Sequence, residues 1–328
     1  MGKEAIEPNS SRSPASDDRL GALLFYSRFD DPKEWEAALK SHLPSLDFRV
    51  YPEVGDPADI KYALVWKPFP GFFQDLRNIS LVVNLGAGID SIAGRTDLPS
   101  VPVSRLCDSG MVALMKSYVL FAAIRYARTI PEFEAAKRRG EWQYIHPRAL
   151  SKIKIGVVGL GKLGSAVASA LAELGFDTRG WDFMPKSIAG VKSSSDPTDW
   201  ESFLSEIEIL VNMLPLTPKT RNMIDAGVFR SLRRGAKFIN ASRGEVVDED
   251  ALVDALRSGH LGGATLDAFA TEPLPAGHPL WTMENVLITP HLASITIPEA
   301  AAADVAESIR RVARGDDPLN KVELERGF

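Results

Sequence analysis

Short apolar runs separated by polar, helix-forming segments recur along the chain from residue 21. The run "GALLFYS" (21–27) is continuous rather than alternating, the pattern of a strand buried on both faces of a parallel sheet. The segment "DPKEWEAALKSHL" follows, and Asp31 as N-cap with Pro32 in the first turn predicts a helix there. Beyond it "DFRVYP" (47–52), "YALVW" (62–66), "LVVNLG" (81–86) and "VPVSRL" (101–106) predict strands, and "FFQDLRN" (72–78) a helix. Five strands alternating with helices make a small doubly wound α/β unit.

The stretch 108–130 predicts one long helix, opened by Asp108 or Ser109 and stopped by Pro131. Apolar residues cover most of its circumference, so burial between domains or subunits is expected. Lys116, Ser117 and Arg125 interrupt it, which argues for burial in protein over a membrane. A second α/β series starts at "KIKIGVVG" (152–159). Its further strands are "FDTRGWD" (176–182), "IEILVNM" (207–213), "GAKFIN" (235–240), "GGATLDAF" (262–269) and "NVLITP" (285–290). The helix "DEDALVDALRSG" has Asp248 as its cap and Gly259 as its stop. The last segment, 297–316, is an amphipathic helix beyond the final strand, free to return to the first unit. The expected organisation is a tail at 1–20, a substrate domain from 21–106 and 293–328, and a dinucleotide-binding Rossmann domain at 107–292 inserted into it.

Composition narrows the function classes. The chain has 328 residues and a formal charge of -5, so no basic field exists to hold a nucleic-acid backbone. Its basic clusters, "KRRG" (137–140) and "RSLRRGAK" (230–237), read as helix ends. Cys107 is the single cysteine, which excludes an internal disulfide and a multi-cysteine metal site and suits a small buried residue. The first twenty residues lack the apolar core of a signal peptide. The expectation is a cytoplasmic protein with no metal and neither nucleic acid nor membrane as partner.

Gly159, Gly161 and Gly164 stand in G-x-G-x-x-G spacing between an apolar strand and an alanine-rich helix. That context predicts a dinucleotide site, with the pyrophosphate on the helix N-terminus. Asp182 closes the next strand, where a carboxylate accepts from an adenosine ribose and repels a 2′-phosphate. NAD(H) is therefore the expected cofactor, and nearby Lys186 leaves NADP(H) open.

Ligands of an open parallel sheet bind beyond the carboxyl ends of its strands. Arg243, Asp267 with Glu272, and His291 each follow a strand of the second series, so one edge gathers a fixed cation, acids and an imidazole. Reduction of a 2-keto acid needs that set. The imidazole delivers a proton, a carboxylate holds the ring, and the guanidinium binds the substrate and stabilises the developing alkoxide.

The stretches "YALVWKP", "LGAGIDSI", "GVVGLGKLG", "INASRGEVVDEDAL", "LDAFATEPLP", "ITPHLASIT" and "VELERGF" resemble the D-isomer-specific 2-hydroxyacid dehydrogenases, most closely the glyoxylate/hydroxypyruvate reductase A group. Its motifs run from residue 84 to the C-terminus, with alignment from about residue 21. The resemblance implies a flavodoxin-like substrate domain, a homodimer, Arg243 as substrate-binding arginine, Glu272 as the acid orienting the histidine, and His291 as proton donor. It puts Asp267 near the nicotinamide amide and the substrate carboxylate on backbone N–H groups of Ala87 and Gly88. Lys162, Leu163, Leu214 and Pro215 join the glycine loop as dinucleotide contacts. Trp66 and Lys67 line the pocket by resemblance; on residue type alone they are equally a packed strand end and a surface lysine. Two departures stand out: "WDFMPKS" replaces the Ser/Arg-type stretch suited to NADPH, and "GMVALMKSY" is less acidic than the group pattern. A nucleotide-sensing co-repressor on the same fold, or a family oxidoreductase with another substrate, are the alternatives.

Overall fold

The computed structural model describes residues 20–324, so the tail expected at 1–20 lies outside them except for Leu20. Two parallel sheets are present. The first contains β1 (Ala22–Tyr26), β2 (Asp47–Val50), β3 (Ile60–Val65), β4 (Leu81–Asn84) and β5 (Val103–Arg105) in the order β2-β1-β3-β4-β5. The second contains β6 (Lys154–Val158), β7 (Asp177–Trp181), β8 (Lys192–Ser194), β9 (Ile209–Asn212), β10 (Ala236–Asn240), β11 (Leu261–Leu266) and β12 (Val286–Ile288), in the order β12-β11-β10-β9-β6-β7-β8. The strand order reverses beside the first strand of each sheet, between β1 and β3 and between β6 and β9. Such switch points form binding crevices at strand carboxyl ends. The fold is the expected one, a flavodoxin-like unit and a Rossmann unit.

Burial explains the strands. All five residues of β1, and all four of β4 and β9, are buried, as a sheet covered on both faces requires. Helix α1 (Pro32–His42) is capped by Asp31, whose side chain accepts from Lys33 N, and Trp35 and Leu39 face the core. The segment 72–78 departs from expectation: it is a string of turns rather than a helix. Phe72, Gln74 and Leu76 each donate to the carbonyl three residues back. The turns bury Phe72, Phe73 and Leu76 without a helix.

The long helix also ends early. Helix α2 (Ser109–Ala127) is capped by Asp108 and stops at Arg128; Thr129 then takes a left-handed conformation before α3 (Ile130–Arg139). Pro131 lies in the first turn of α3 instead of terminating α2. Among the described residues α2 is the one helix long and apolar enough to be compared with a membrane span. Met115, Val119, Ala122, Ala123 and Tyr126 on it are buried against β6, β9 and β10 together with α4 (Lys162–Glu173). Strand β8 was not expected, because "KSS" carries no apolar pattern at a sheet edge.

The remaining helices are α5 (Trp200–Glu206), α6 (Ala226–Ser231), α7 (Glu249–Arg257) and α8 (Pro298–Ala313). Asp248 caps α7 through Ala251 N. Helix α8 leaves the second sheet and buries Ala301, Ala302, Val305, Ala306 and Ile309 against Trp35 and Leu39 of α1. Beyond α8, Ser104 Oγ donates to Leu319 O at 2.6 Å, which ties the C-terminal segment to β5. The chain thus crosses between sheets twice, near Cys107 and near Ser294, whose hydroxyl donates to Met111 O at 2.9 Å.

Candidate active site

The glycine loop joins β6 to α4. Gly159 adopts φ 90°, and a Cβ there would stand 2.6 Å from the backbone of Met213 and Leu214. A Cβ at Gly164 would stand 1.9 Å from Gly159 O, so only glycine lets helix meet turn. Gly161 is the opposite case: nothing lies within 4 Å of its absent Cβ, so the N-terminus of α4 is open to a ligand. One glycine for the turn, one for open approach and one for close packing fit a bound pyrophosphate. Lys162 opens α4 and its Nζ donates to Cys107 O at 2.5 Å, while Leu163 packs into the helix–sheet core. Cys107 itself is buried, and burial pushes its thiol pKa up.

Asp182 follows β7, and both its oxygens are engaged. Oδ2 accepts from Leu160 N at 2.5 Å and Oδ1 from Met184 N at 3.0 Å, so the carboxylate caps the glycine loop and its own loop. Leu214 turns its side chain into the core and donates its N–H to Asn212 Oδ1 at 3.2 Å, and Pro215 is exposed.

Strands β9 and β10 end in buried asparagines that shape the loops beyond them. Asn212 Nδ2 donates to Asn240 Oδ1 at 3.0 Å, and Asn240 Nδ2 donates to Arg243 O at 3.2 Å and Ala268 O at 3.3 Å. Ser242 Oγ donates to Leu214 O. A Cβ on Gly244 would collide with the backbone of Phe269, so the Arg243 loop presses directly on the Glu272 loop.

From this base Arg243 reaches across to the loop after β4. Its Nε donates to Asp90 Oδ1 at 2.9 Å, and a Cβ on Gly88 would stand 1.8 Å from its Nη2. The guanidinium edge therefore lies on the Ala87–Gly88 turn, and the two sheets meet there. Trp66 covers the start of this turn: a Cβ on Gly86 would stand 2.5 Å from its ring.

His291 and Glu272 form a pair. His291 Nδ1 lies 2.9 Å from Glu272 Oε1 and 3.0 Å from Oε2. An ionised carboxylate only accepts, so Nδ1 carries the proton in this bond and Nε2 is left for a substrate. Burial pushes the Glu272 carboxyl upward in pKa. The hydrogen bond and charge of His291, the Phe269 N–H at 3.2 Å and the charge of Lys67 outweigh that and hold it below its ordinary value. Lys67 Nζ is 3.8 Å from Glu272 Oε2, on the first-sheet side. Among the described residues five non-glycines have positive φ, and two of them, Lys67 (45°) and His291 (59°), meet at Glu272. Strained backbone concentrates where function fixes a side chain.

Asp267 holds His291 in that conformation. Its Oδ1 accepts from the Thr289 hydroxyl at 2.6 Å and from Leu292 N at 2.8 Å, its Oδ2 accepts from Ala293 N at 2.8 Å, and its carbonyl accepts from His291 N at 2.9 Å. Tyr118 of α2 lies 2.6 Å from the Thr289 hydroxyl. Thr289 gives its proton to the carboxylate, so Tyr118 donates to Thr289. Asp267 is thus a buried loop anchor in this structure. Asp90, Thr289, Tyr118 and the asparagine pair were not singled out from the sequence. Asparagine closing an apolar run, as in "ILVN" and "AKFIN", was the available signal.

A nucleotide-binding glycine loop beside a carboxylate-held histidine and an arginine at the junction of two α/β units defines an NAD(P)-dependent dehydrogenase. Residues 120–293 match the family profile of the D-isomer specific 2-hydroxyacid dehydrogenase NAD-binding domain. Glyoxylate/hydroxypyruvate reductase A of Serratia proteamaculans is 38% identical over 93% of this chain and 99% of its own. A D-isomer specific 2-hydroxyacid dehydrogenase from Xanthobacter autotrophicus Py2, solved with NADPH and MES, is 52% identical at TM-score 0.91, covering 94% of this chain and 99% of that one. An NADPH-dependent glyoxylate/hydroxypyruvate reductase from Sinorhizobium meliloti, solved with NADP and sulfate, is 32% identical at TM-score 0.88, covering 94% and 100%. The chain belongs to the D-isomer specific 2-hydroxyacid dehydrogenase family.

Proposed function

We propose that the protein reduces small 2-keto acids, foremost glyoxylate and hydroxypyruvate, to 2-hydroxy acids. The observation that carries this reading is Arg243 of the second sheet laid on the Ala87–Gly88 turn of the first, on the strand edge that also carries the Glu272–His291 pair. Relatives named as glyoxylate/hydroxypyruvate reductases support the substrate class.

The backbone N–H groups of Ala87 and Gly88 and the Arg243 guanidinium take the substrate carboxylate, with Trp66 and Lys67 beside them. The reduced nicotinamide, when bound, supplies the hydride. Gly159, Gly161, Lys162, Leu163 and Gly164 hold its pyrophosphate, with Leu214 and Pro215 along the dinucleotide. As charge develops on the carbonyl oxygen, Arg243 stabilises it and His291 Nε2 delivers a proton. Glu272 then faces a neutral imidazole until the ring is reprotonated.

On the cofactor we move from the sequence expectation of NADH to NADPH, with NADH second. The 52% identical relative was solved with NADPH. Asp182 has a capping role through Leu160 N and Met184 N that accounts for an acid there without a ribose. Lys186 then supplies the cation for a 2′-phosphate.

Residues 21–106 with 293–328 form the substrate domain and 107–292 the cofactor domain in this reading. The exposed Phe121, Ile124, Trp142 and Tyr144, on α2 and after α3, support a homodimer through that face.

Initial rates of NADPH and NADH oxidation, measured side by side with glyoxylate and with hydroxypyruvate, test this. Turnover with NADPH ahead of NADH is expected. Turnover led by NADH returns the role of Asp182 to the ribose, and no turnover with either keto acid overturns the substrate class.

A further inference from the structure

Asn84 closes β4 with no exposed surface, in the same way that Asn212 and Asn240 close β9 and β10. Its Nδ2 donates to Gly86 O and to Gly88 O, each at 2.8 Å. Arg105, closing neighbouring β5, donates from Nη1 to Ala87 O at 3.1 Å. Three successive carbonyls are therefore drawn toward two side chains behind the turn. In a trans peptide the carbonyl and the following N–H point opposite ways. The N–H groups of Ala87, Gly88 and Ile89 are thus turned away from Asn84 and Arg105, and among the described residues none of them has an acceptor. Arg243 Nη2 lies against the same turn at Gly88.

The arrangement is costly. Asn84 Oδ1 is buried with no hydrogen-bond partner among the described residues. An unsatisfied buried acceptor is destabilising, and an apolar residue of similar shape avoids the cost. A fold keeps such a group where its donors are needed, and here both donors go to the turn.

We propose that Asn84 and Arg105 are positioning residues that preset the N–H groups of Ala87–Ile89 for a substrate carboxylate. They act through the backbone, without touching the substrate. Presetting removes the reorganisation that a flexible turn would undergo on binding, so the site favours acids whose carboxylate adjoins the reacting carbon. The inference rests on the reading of this cleft as a 2-keto acid site.

The test uses the NADPH-loaded enzyme and oxamate, a carboxylate that is not reduced, in calorimetric titrations of wild type, Arg105→Met, Arg105→Lys and Asn84→Asp. Glyoxylate kinetics run in parallel. Arg105→Met is expected to raise the oxamate Kd and the glyoxylate KM about 10-fold, the size of one lost charge-assisted bond. NADPH affinity stays within about 2-fold, and Arg105→Lys recovers most of the loss. Asn84→Asp replaces both donors by acceptors and weakens oxamate further. Where that variant fails to fold, Arg105→Met at the partly exposed end of β5 decides alone. Oxamate affinity unchanged in Arg105→Met overturns the proposal, as does a parallel fall in NADPH affinity. Wild type that binds oxamate and reduces no keto acid sinks the catalytic reading alone, with the Arg105→Met titration still deciding the cradle. Wild type that binds no oxamate overturns the cradle, and one that also reduces no keto acid overturns both.

Discussion

Arg243 Nε donates to Asp90 Oδ1 at 2.9 Å, and this ion pair joins the loop after β10 to the loop after β4. Both side chains are largely shielded, at 18% and 23% exposure, so the bond is little screened by solvent. The same Nε/Nη2 edge carries the nitrogen that lies at Gly88, while Nη1 donates to Ser242 O at 3.0 Å. Asp90→Ala should raise the KM for glyoxylate about 10-fold and lower kcat, because Arg243 loses its ion-pair partner and is held only through the Ser242 carbonyl. Steady-state kinetics alongside NADPH titration check this; equal losses in keto-acid and cofactor binding would show a general disturbance instead.

Glu272 predicts a pH signature. Its carboxyl is held below the ordinary range, so it stays ionised as the acceptor for His291 Nδ1. Glu272→Gln replaces the carboxylate by a neutral amide, so the acid limb of the kcat/KM profile that follows its protonation should disappear. A limb that stays in place would separate Glu272 from the proton-delivering step.

The Tyr118–Thr289–Asp267 chain holds the left-handed backbone at His291 from behind. Thr289→Val keeps the shape and removes the hydroxyl, which leaves Tyr118 without its acceptor and Asp267 with backbone donors alone. A stability loss of about 1–3 kcal/mol in urea denaturation is expected, together with a lower kcat. Full activity in a destabilised variant would confine the chain to a structural role.

Asp97 is the stability counterpart in the first unit. Arg95 donates to both Asp97 oxygens and to the carbonyls of Pro68 and Phe69, and Asp97 also accepts from Gly71 N, which clamps the loop after Lys67. Burial pushes the Asp97 carboxyl upward in pKa, but the bonds and charge of Arg95 outweigh this and lower it. A depressed pKa contributes stability that is present above the unfolded value near 3.9 and lost as pH falls through the folded value. Wild type should exceed Asp97→Asn by about 1–3 kcal/mol at pH 7, and the gap should close toward pH 3.

The sequence was most readable where local pattern and chemistry coincide. Among the described residues eleven of the twelve strands were expected, most of them from apolar runs, and polar β8 at a sheet edge was not. The glycine loop, Arg243, Glu272 and His291 each follow such a run, which is why the edge they share was visible. Turns at 72–78 were misread because a helix and a chain of turns bury Phe72, Phe73 and Leu76 equally well. Thr129 broke the long helix through a backbone conformation that no residue pattern announced. Asp90 and Tyr118 were missed for a different reason: their partners, Arg243 and Thr289, lie more than 150 residues away, and only the folded chain brings them together.

The most direct test of the account is the kcat for glyoxylate reduction by His291→Asn beside wild type, with NADPH affinity measured on both. Loss of the imidazole that protonates the developing alkoxide should lower kcat by about 10²–10⁴-fold while the cofactor Kd stays within about 2-fold. A variant with near-wild-type kcat would contradict the account, because the proton would then come from another group.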